Sequence, residues 1–363
     1  MFKHLFNNNK GTRMRKITKL FLGILASALL VLPTYAGEMS VTGGAKVTMT
    51  TSGAVGSEGK SIGVSNELDF SASGELDNGM TWDYQVQLDG ASTANDDTKL
   101  VIGTDMGTIG FYISEGGMRN NLAHGVGAMG VGMDYSSTST FKTGYNVSDY
   151  ANVQYHLPAG MLPYEGTLKV GIVPDLNDTD MISGEGANAA IATHATGRQL
   201  QQIAFSAVPM EGLTVKGDAA RTAGEEGNAL TVETGVSANL GAKYTMGQLS
   251  IGYTEGGHQP AVEGEITYYE NQYYGVQYDI NDALSVSYNV DKSEKNARAK
   301  VALGSAAGAK GTKTVTEMEQ KSYMLAYTAG GATFGYTMYK VSDADYTSGK
   351  EETNNIFSMA ISF

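Results

Sequence analysis

The chain has 363 residues, with 38 acidic against 25 basic side chains, 47 Gly, 21 Tyr, 6 Pro, one Trp and no Cys. The absence of cysteine excludes a disulfide framework, a thiolate metal site and a cysteine nucleophile. A net charge of −13 excludes nucleic acid as an expected partner, because phosphate binding needs concentrated positive charge.

Residues 1–36 read as an export signal. Arg15, Lys16 and Lys19 precede an apolar run from Leu20 to Leu32, and Thr34-Tyr35-Ala36 supplies small residues for cleavage before Gly37. The apolar run is about 13 residues, short of the roughly 20 that span a bilayer as a helix. Met14 stands as an alternative start. Removing residues 1–36 takes six basic and no acidic side chains, which leaves 19 against 38 and a net charge of −19.

From Gly37 to Phe363 one pattern recurs: runs of 7–12 residues alternating apolar and polar, then a turn or loop. Val41, Ala45, Val47 and Met49 oppose Thr42, Lys46, Thr48 and Thr50. Trp82, Tyr84, Val86 and Leu88 oppose Asp83, Gln85, Gln87 and Asp89. Leu284, Val286, Tyr288 and Val290 oppose Ser285, Ser287, Asn289 and Asp291. In the last run Phe357, Met359, Ile361 and Phe363 oppose Ser358, Ala360 and Ser362. Successive strand side chains face opposite ways, so each run has one greasy and one polar face.

Sixteen strands are expected, centred near residues 45, 68, 85, 100, 110, 153, 170, 204, 216, 239, 251, 275, 287, 325, 336 and 359. Short turns fall at 77–79, 105–107, 158–163, 209–212, 246–247, 281–282 and 330–331. Longer loops fall at 51–60, 90–96, 115–150, 174–198, 222–230, 255–263, 292–316 and 343–354. Short turns at one end and long loops at the other describe a transmembrane antiparallel up-and-down β-barrel with both termini on the periplasmic side. Hydrocarbon offers no water to unpaired backbone groups, so the sheet must close. Phe70, Trp82, Phe111, Tyr155, Tyr244, Tyr253, Tyr274, Tyr278, Tyr323 and Tyr327 fall on the expected outer face, many near strand ends, where amphipathic rings favour the headgroup level.

In the export signal to Ala36, the opening strand Ser40 to Thr50, the pair Leu100–Asp105 and Gly107–Ile113, the long third loop and the final Ile361-Ser362-Phe363, the chain resembles the general Gram-negative porins. That resemblance implies a sixteen-stranded homotrimer among outer-membrane lipids and lipopolysaccharide. It also implies recognition of Phe363 by the barrel-assembly machinery and a third loop, 115–150, folded into the lumen as a constriction. Where the family carries a Pro-Glu-Phe-Gly-type stretch in that loop, this chain has Gly125-Val126-Gly127-Ala128-Met129-Gly130-Val131-Gly132.

On the porin reading, acidic groups of the loop face basic groups of the wall and set a transverse field across the narrowest section. The expected constriction residues are Glu115 and Asp134 on the loop, and Lys46, Lys99, Lys169 and Lys216 on the inward phase of the wall. No cofactor, metal or catalytic residue is expected. Of five histidines, His156 falls on an inward face and His124, His194 and His258 in loops, and no Gly-x-Ser-x-Gly or His-Glu-x-x-His is present. The glycine stretch lacks the following Lys-Ser/Thr of a phosphate loop, and Asp175 to Asp180 lacks the Gly and terminal Glu of an EF-hand.

The expected function is passive diffusion of ions and small hydrophilic solutes, with a cation preference from the acidic excess. A channel selective for phosphate, organic acids or sugars is the alternative. Only four mature arginines (Arg119, Arg198, Arg221, Arg298) argue against an anion site, and Tyr112 and Tyr273 are too few for a sugar track. An outer-membrane enzyme lacks an assembled nucleophile and base. A secreted β-rich surface protein leaves the alternating turn lengths unexplained.

Overall fold

The computed structural model describes residues 38–54, 57–89, 97–119, 141–174, 176, 199–223, 234–260, 265–299 and 311–363. Sixteen strands form one closed antiparallel barrel in which each strand pairs with its chain neighbours and the first pairs with the last. They are β1 (Glu38–Ala54), β2 (Ser57–Glu75), β3 (Thr81–Asp89), β4 (Asp97–Thr104), β5 (Gly107–Ile113), β6 (Asn152–His156), β7 (Thr167–Val173) and β8 (Gln199–Met210). The second half is β9 (Leu213–Ala223), β10 (Val236–Met246), β11 (Leu249–Gln259), β12 (Glu265–Asn281), β13 (Leu284–Ala299), β14 (Lys313–Ala329), β15 (Ala332–Ser342) and β16 (Glu352–Ser362). Each of the sixteen expected strand centres falls inside one of these strands. The export signal, 1–36, lies outside the described residues.

Register explains why the sequence selects this ring. Leu249, Tyr278, Val286, Leu325, Tyr336, Phe357, Met49 and Ile62 are successive cross-strand partners on one face. Three positions along, Gly275, Asn289, Ser322, Tyr339, Asn354 and Ser52 form the matching row on the other. Tyr278, Leu325 and Phe357 are 46%, 40% and 51% exposed, whereas Asn289 and Ser322 are fully buried. Apolar side chains therefore face outward and polar ones inward, the reverse of a water-soluble fold. The ten aromatics expected on the outer face all share it, by their own exposure or that of an exposed neighbour on the same face: Phe70 pairs with Val41, Trp82 stands two residues from Tyr84, and Tyr244 pairs with Ile251. A one-residue slip anywhere would turn a whole strand inside out, so alternation fixes the register.

The seam between β1 and β16 is closed by reciprocal backbone bonds, Gly43 N to Phe363 O at 2.8 Å and Phe363 N to Gly43 O at 2.9 Å. At the tight β14–β15 turn, Gly330 and Gly331 both have positive φ, 60° and 82°, the backbone that a two-residue hairpin requires. The β8–β9 register shifts between Ala207 and Met210, where Pro209 has no N–H for the ladder.

Four expected loops are shorter than read from sequence. Ala54 pairs with Ser57, so most of 51–60 is strand. Likewise β11 extends to Gln259, β13 to Ala299 with β14 resuming at Lys313, and β16 begins at Glu352. At these ends both faces are polar, so alternation disappears while backbone pairing continues.

Candidate functional site

The inner face is the surface that could act on a solute. A sixteen-stranded ring at about 4.8 Å strand spacing is roughly 30 Å across between backbones. What occupies the inside therefore decides what passes.

Two arms of the third loop, residues 115–119 and 141–150, are bonded to inward-facing side chains. Asn146 joins the arms to each other: its Oδ1 accepts from the backbone N–H of Met118 (3.0 Å) and Arg119 (3.1 Å), and its Nδ2 donates to Ser148 Oγ (2.6 Å). The Arg119 guanidinium donates to Gly144 O at 3.0 Å. The wall then holds the pair. Val147 N donates to Gln202 Oε1 on β8 (2.9 Å), and Tyr145 N to Ser237 Oγ on β10 (3.1 Å). Asn271 Nδ2 on β12 donates to Lys142 O (3.0 Å), and Asn152 Nδ2 on β6 to Glu115 O (3.1 Å). Gly144, at φ 104°, lies so close to Ser237 that an added Cβ would stand 2.6 Å from the serine Cβ. A side chain there would lift the arm from the wall.

Apolar packing supplements these bonds. Met118 and Val147 pack with Val173, Leu200, Ala204 and Ala220. Phe141 packs on Met318, Tyr339, Val341, Ala344 and Ile356. The 3₁₀ turn Ala344–Tyr346, in the last loop, meets the same surface: Tyr346 hydrogen-bonds Ser293 at 2.7 Å and packs its ring, tilted by 54°, 5.4 Å from that of Tyr269. Tyr269 in turn faces His258 at 6.0 Å, and His258 faces Tyr145 at 5.0 Å. His258 is thus an inward residue of β11, not the outer-loop residue expected; Gly256 and Gly257 break the alternation that would have placed it. His156 sits inward as expected, with Nε2 2.8 Å from Gln154 Oε1. Tyr112 and Tyr273 are both inward and buried.

The expected constriction residues do not gather at one point. Lys46 lines an inner cavity of about 840 Å³ with Ser65, Glu67 and Asp69. Lys99 lies 3.9 Å from Asp83. Asp69 accepts from Gln85 (2.7 Å) and Gln87 (3.0 Å). Glu115 lies on the first arm, its Oε2 accepting from Gly116 N at 3.1 Å. Lys169 and Lys216 do meet, across a cavity of about 200 Å³ that Arg119 also lines. Asp134 lies outside the described residues. Among those described, the loop thus contributes Arg119 beside the β7 and β9 lysines as well as Glu115 on its first arm, while further carboxylates stand on the β2 and β3 wall. Sequence reading counted Arg119 but did not place it, and it missed Asn146, Gln202, Ser237 and Asn271. Their signal was an amide or hydroxyl on the inward phase of neighbouring strands.

No three His, Asp or Glu side chains converge as a metal site among the described residues. No protein-family model and no curated protein matches the sequence. Solved structures do match the fold. A trimer form of in-vitro folded OmpT, an outer membrane protein of Vibrio cholerae, is 13% identical with a TM-score of 0.62, over 90% of this chain and all of that one. The anion-selective porin from Comamonas acidovorans is 10% identical with a TM-score of 0.59, again over 90% and 100%. Salmonella typhi OmpF, in complex with daunomycin, is 11% identical with a TM-score of 0.58, over 92% and 99%. The chain has the fold of the outer-membrane porins along nearly its whole length.

Proposed function

We propose that the protein is an outer-membrane porin through which ions and small hydrophilic solutes diffuse passively, without covalent chemistry or energy coupling. The observation that carries this is the inside-out ring: an apolar outer band that suits hydrocarbon, closed around amides, hydroxyls and charges that suit water. Residues 1–36 are removed on export. The third loop, 115–150, narrows the lumen, its arms seated on β6, β8, β10 and β12. The protein assembles as a homotrimer among outer-membrane lipids and lipopolysaccharide, and Phe363 is read by the barrel-assembly machinery. In favour of association, Ile62 and Val64 on β2 are 74% and 69% exposed, well beyond most of the outer band. The mature net charge of −19 sets an overall preference for cations.

Planar-bilayer recording on the refolded mature protein tests this reading. Discrete steps that scale with salt, and a reversal potential on the cation side in a salt gradient, are the expected results. A mature chain that stays soluble without detergent and never raises membrane conductance would overturn it.

A further inference from the structure

In the sequence, the small number of arginines argues against the anion-selective form of the alternative channel. The fold changes the terms by gathering cations from distant positions. Lys169 on β7 and Lys216 on β9 both point inward, and register sets Thr167 opposite Ser206 and Ser206 opposite Lys216. The two lysines therefore stand two strands apart and two residues out of register, about 12 Å between backbones, near enough for their long side chains to reach one point. The first arm of the third loop brings Arg119 over the same place. The resulting cavity of about 200 Å³ is lined by Gly117, Arg119, Thr167, Lys169, Ser206 and Lys216 among others, and no carboxylate lines it.

Of the neighbouring acids, Asp218 is engaged by amides and Asp149 faces Arg119. Asp218, the next inward residue after Lys216, accepts from Gln202 (3.4 Å) and from Asn239 (3.3 Å). Asp149 lies within electrostatic reach of Arg119, but burial pushes its carboxyl up while the guanidinium pulls it down. Among the described residues no carboxylate stands in an ion pair with Lys169 or Lys216. One Arg119 N–H is taken by Gly144 O, which fixes the guanidinium while other donors on it remain.

We infer that Arg119, Lys169 and Lys216, with the hydroxyls of Thr167 and Ser206, form a docking site for the phosphate group of a solute in transit. Three cations approach from a loop and two separate strands. A tetrahedral dianion offers oxygens in all of those directions, whereas a planar carboxylate satisfies one fork. The cavity holds about six waters' worth of volume, enough for a phosphate group that keeps part of its hydration. This rests on the porin reading and names a substrate class for it: phosphate is concentrated locally within a lumen that otherwise favours cations.

The test uses the refolded mature protein and inorganic phosphate as probe, in two measurements. In planar bilayers at constant ionic strength, replacing chloride by phosphate should depress the current saturably. Lys169→Gln and Lys216→Gln should each raise the half-blocking concentration about tenfold, the scale of a lost charge-assisted hydrogen bond. Lys340→Gln, on the outer face, should leave it unchanged. In detergent, broadening of the phosphate phosphorus resonance by the wild type, lost in Lys169→Gln/Lys216→Gln, reads the same site without any channel. Broadening without conductance would sink the porin reading but not the site. Conductance with no phosphate block and no broadening, or effects that persist in the double variant, would overturn the site and leave the porin reading intact.

Discussion

Two sectors of the inner wall both carry charges and handle them differently. On β1 to β4, cations and carboxylates interleave: Lys46 shares its cavity with Glu67 and Asp69, and Lys99 lies beside Asp83. On β7 to β9, Lys169 and Lys216 meet Arg119 of the loop arm in a cavity without a carboxylate. Paired charges screen each other and leave little field, whereas unpaired cations in a confined, partly desolvated space project theirs onto whatever passes. Net charge is thus a poor guide to what a lumen does locally; the distribution is set by which strands bring inward positions side by side.

The largest effect should come from unseating the loop arm that completes the second sector. Asn146→Ala strips the acceptor from two backbone N–H groups, those of Met118 and Arg119. It should weaken the seating by about 2–4 kcal/mol. Single-channel steps should become larger and noisier. The matched change in the first sector, Gln85→Ala, removes one donor from an Asp69 that Gln87 still reaches, and steps should stay as they are. Equal behaviour of the two variants would erase the distinction between sectors.

Next in size is selectivity. Lys216→Gln should move the reversal potential further toward cations, and Asp83→Asn should move it toward anions. Both shifts should shrink in 1 M salt, where the screening length falls to about 3 Å. A smaller effect is expected at the junction of the two loops. Tyr346→Phe loses the hydrogen bond to Ser293 and should cost about 0.5–1.5 kcal/mol in urea unfolding from lipid vesicles. Stability unchanged by this variant would mean that ring packing on Tyr269 alone holds the turn.

The smallest effect concerns pH at the last loop. Lys350 bonds Asp345 at 2.5 Å and Glu352 at 3.3 Å, and the Asp345 bond, followed by that to Glu352, holds its ammonium above the ordinary 10.5. A raised lysine pKa gives stability that is complete below the unfolded value and lost as pH rises through the folded one. Protection of residues 343–351 from proteolysis should accordingly be flat across neutral pH and fall only above about pH 10.5. A loss beginning near pH 8 would contradict this.

What could be read from sequence follows the range of the cause. Alternation is a two-residue signal, so Phe357, Met359 and Ile361 announced their face without help, and all sixteen strands were located. The signal lapsed where both faces meet water, as at 51–60, and where glycines interrupt it, as at His258. The site depends on contacts far apart in the chain, Tyr145 with Ser237 and Lys142 with Asn271, separated by 92 and 129 residues. No local pattern encodes these, which is why Arg119 was visible as a residue but not as a neighbour of Lys169 and Lys216.

Because the chain contains no cysteine, single cysteines can test directly which side of each strand meets water. Phe205, Val215, Leu240 and Ile251 lie on the outer face, and Ser206, Thr214, Lys216 and Lys243 on the inner one. In lipid vesicles, a charged thiol reagent should reach the inner set alone, and a polarity-sensitive fluorophore should report hydrocarbon for the outer set alone. Uniform labelling of both sets, or an outer set that reports water, would contradict a barrel that holds water within and hydrocarbon without.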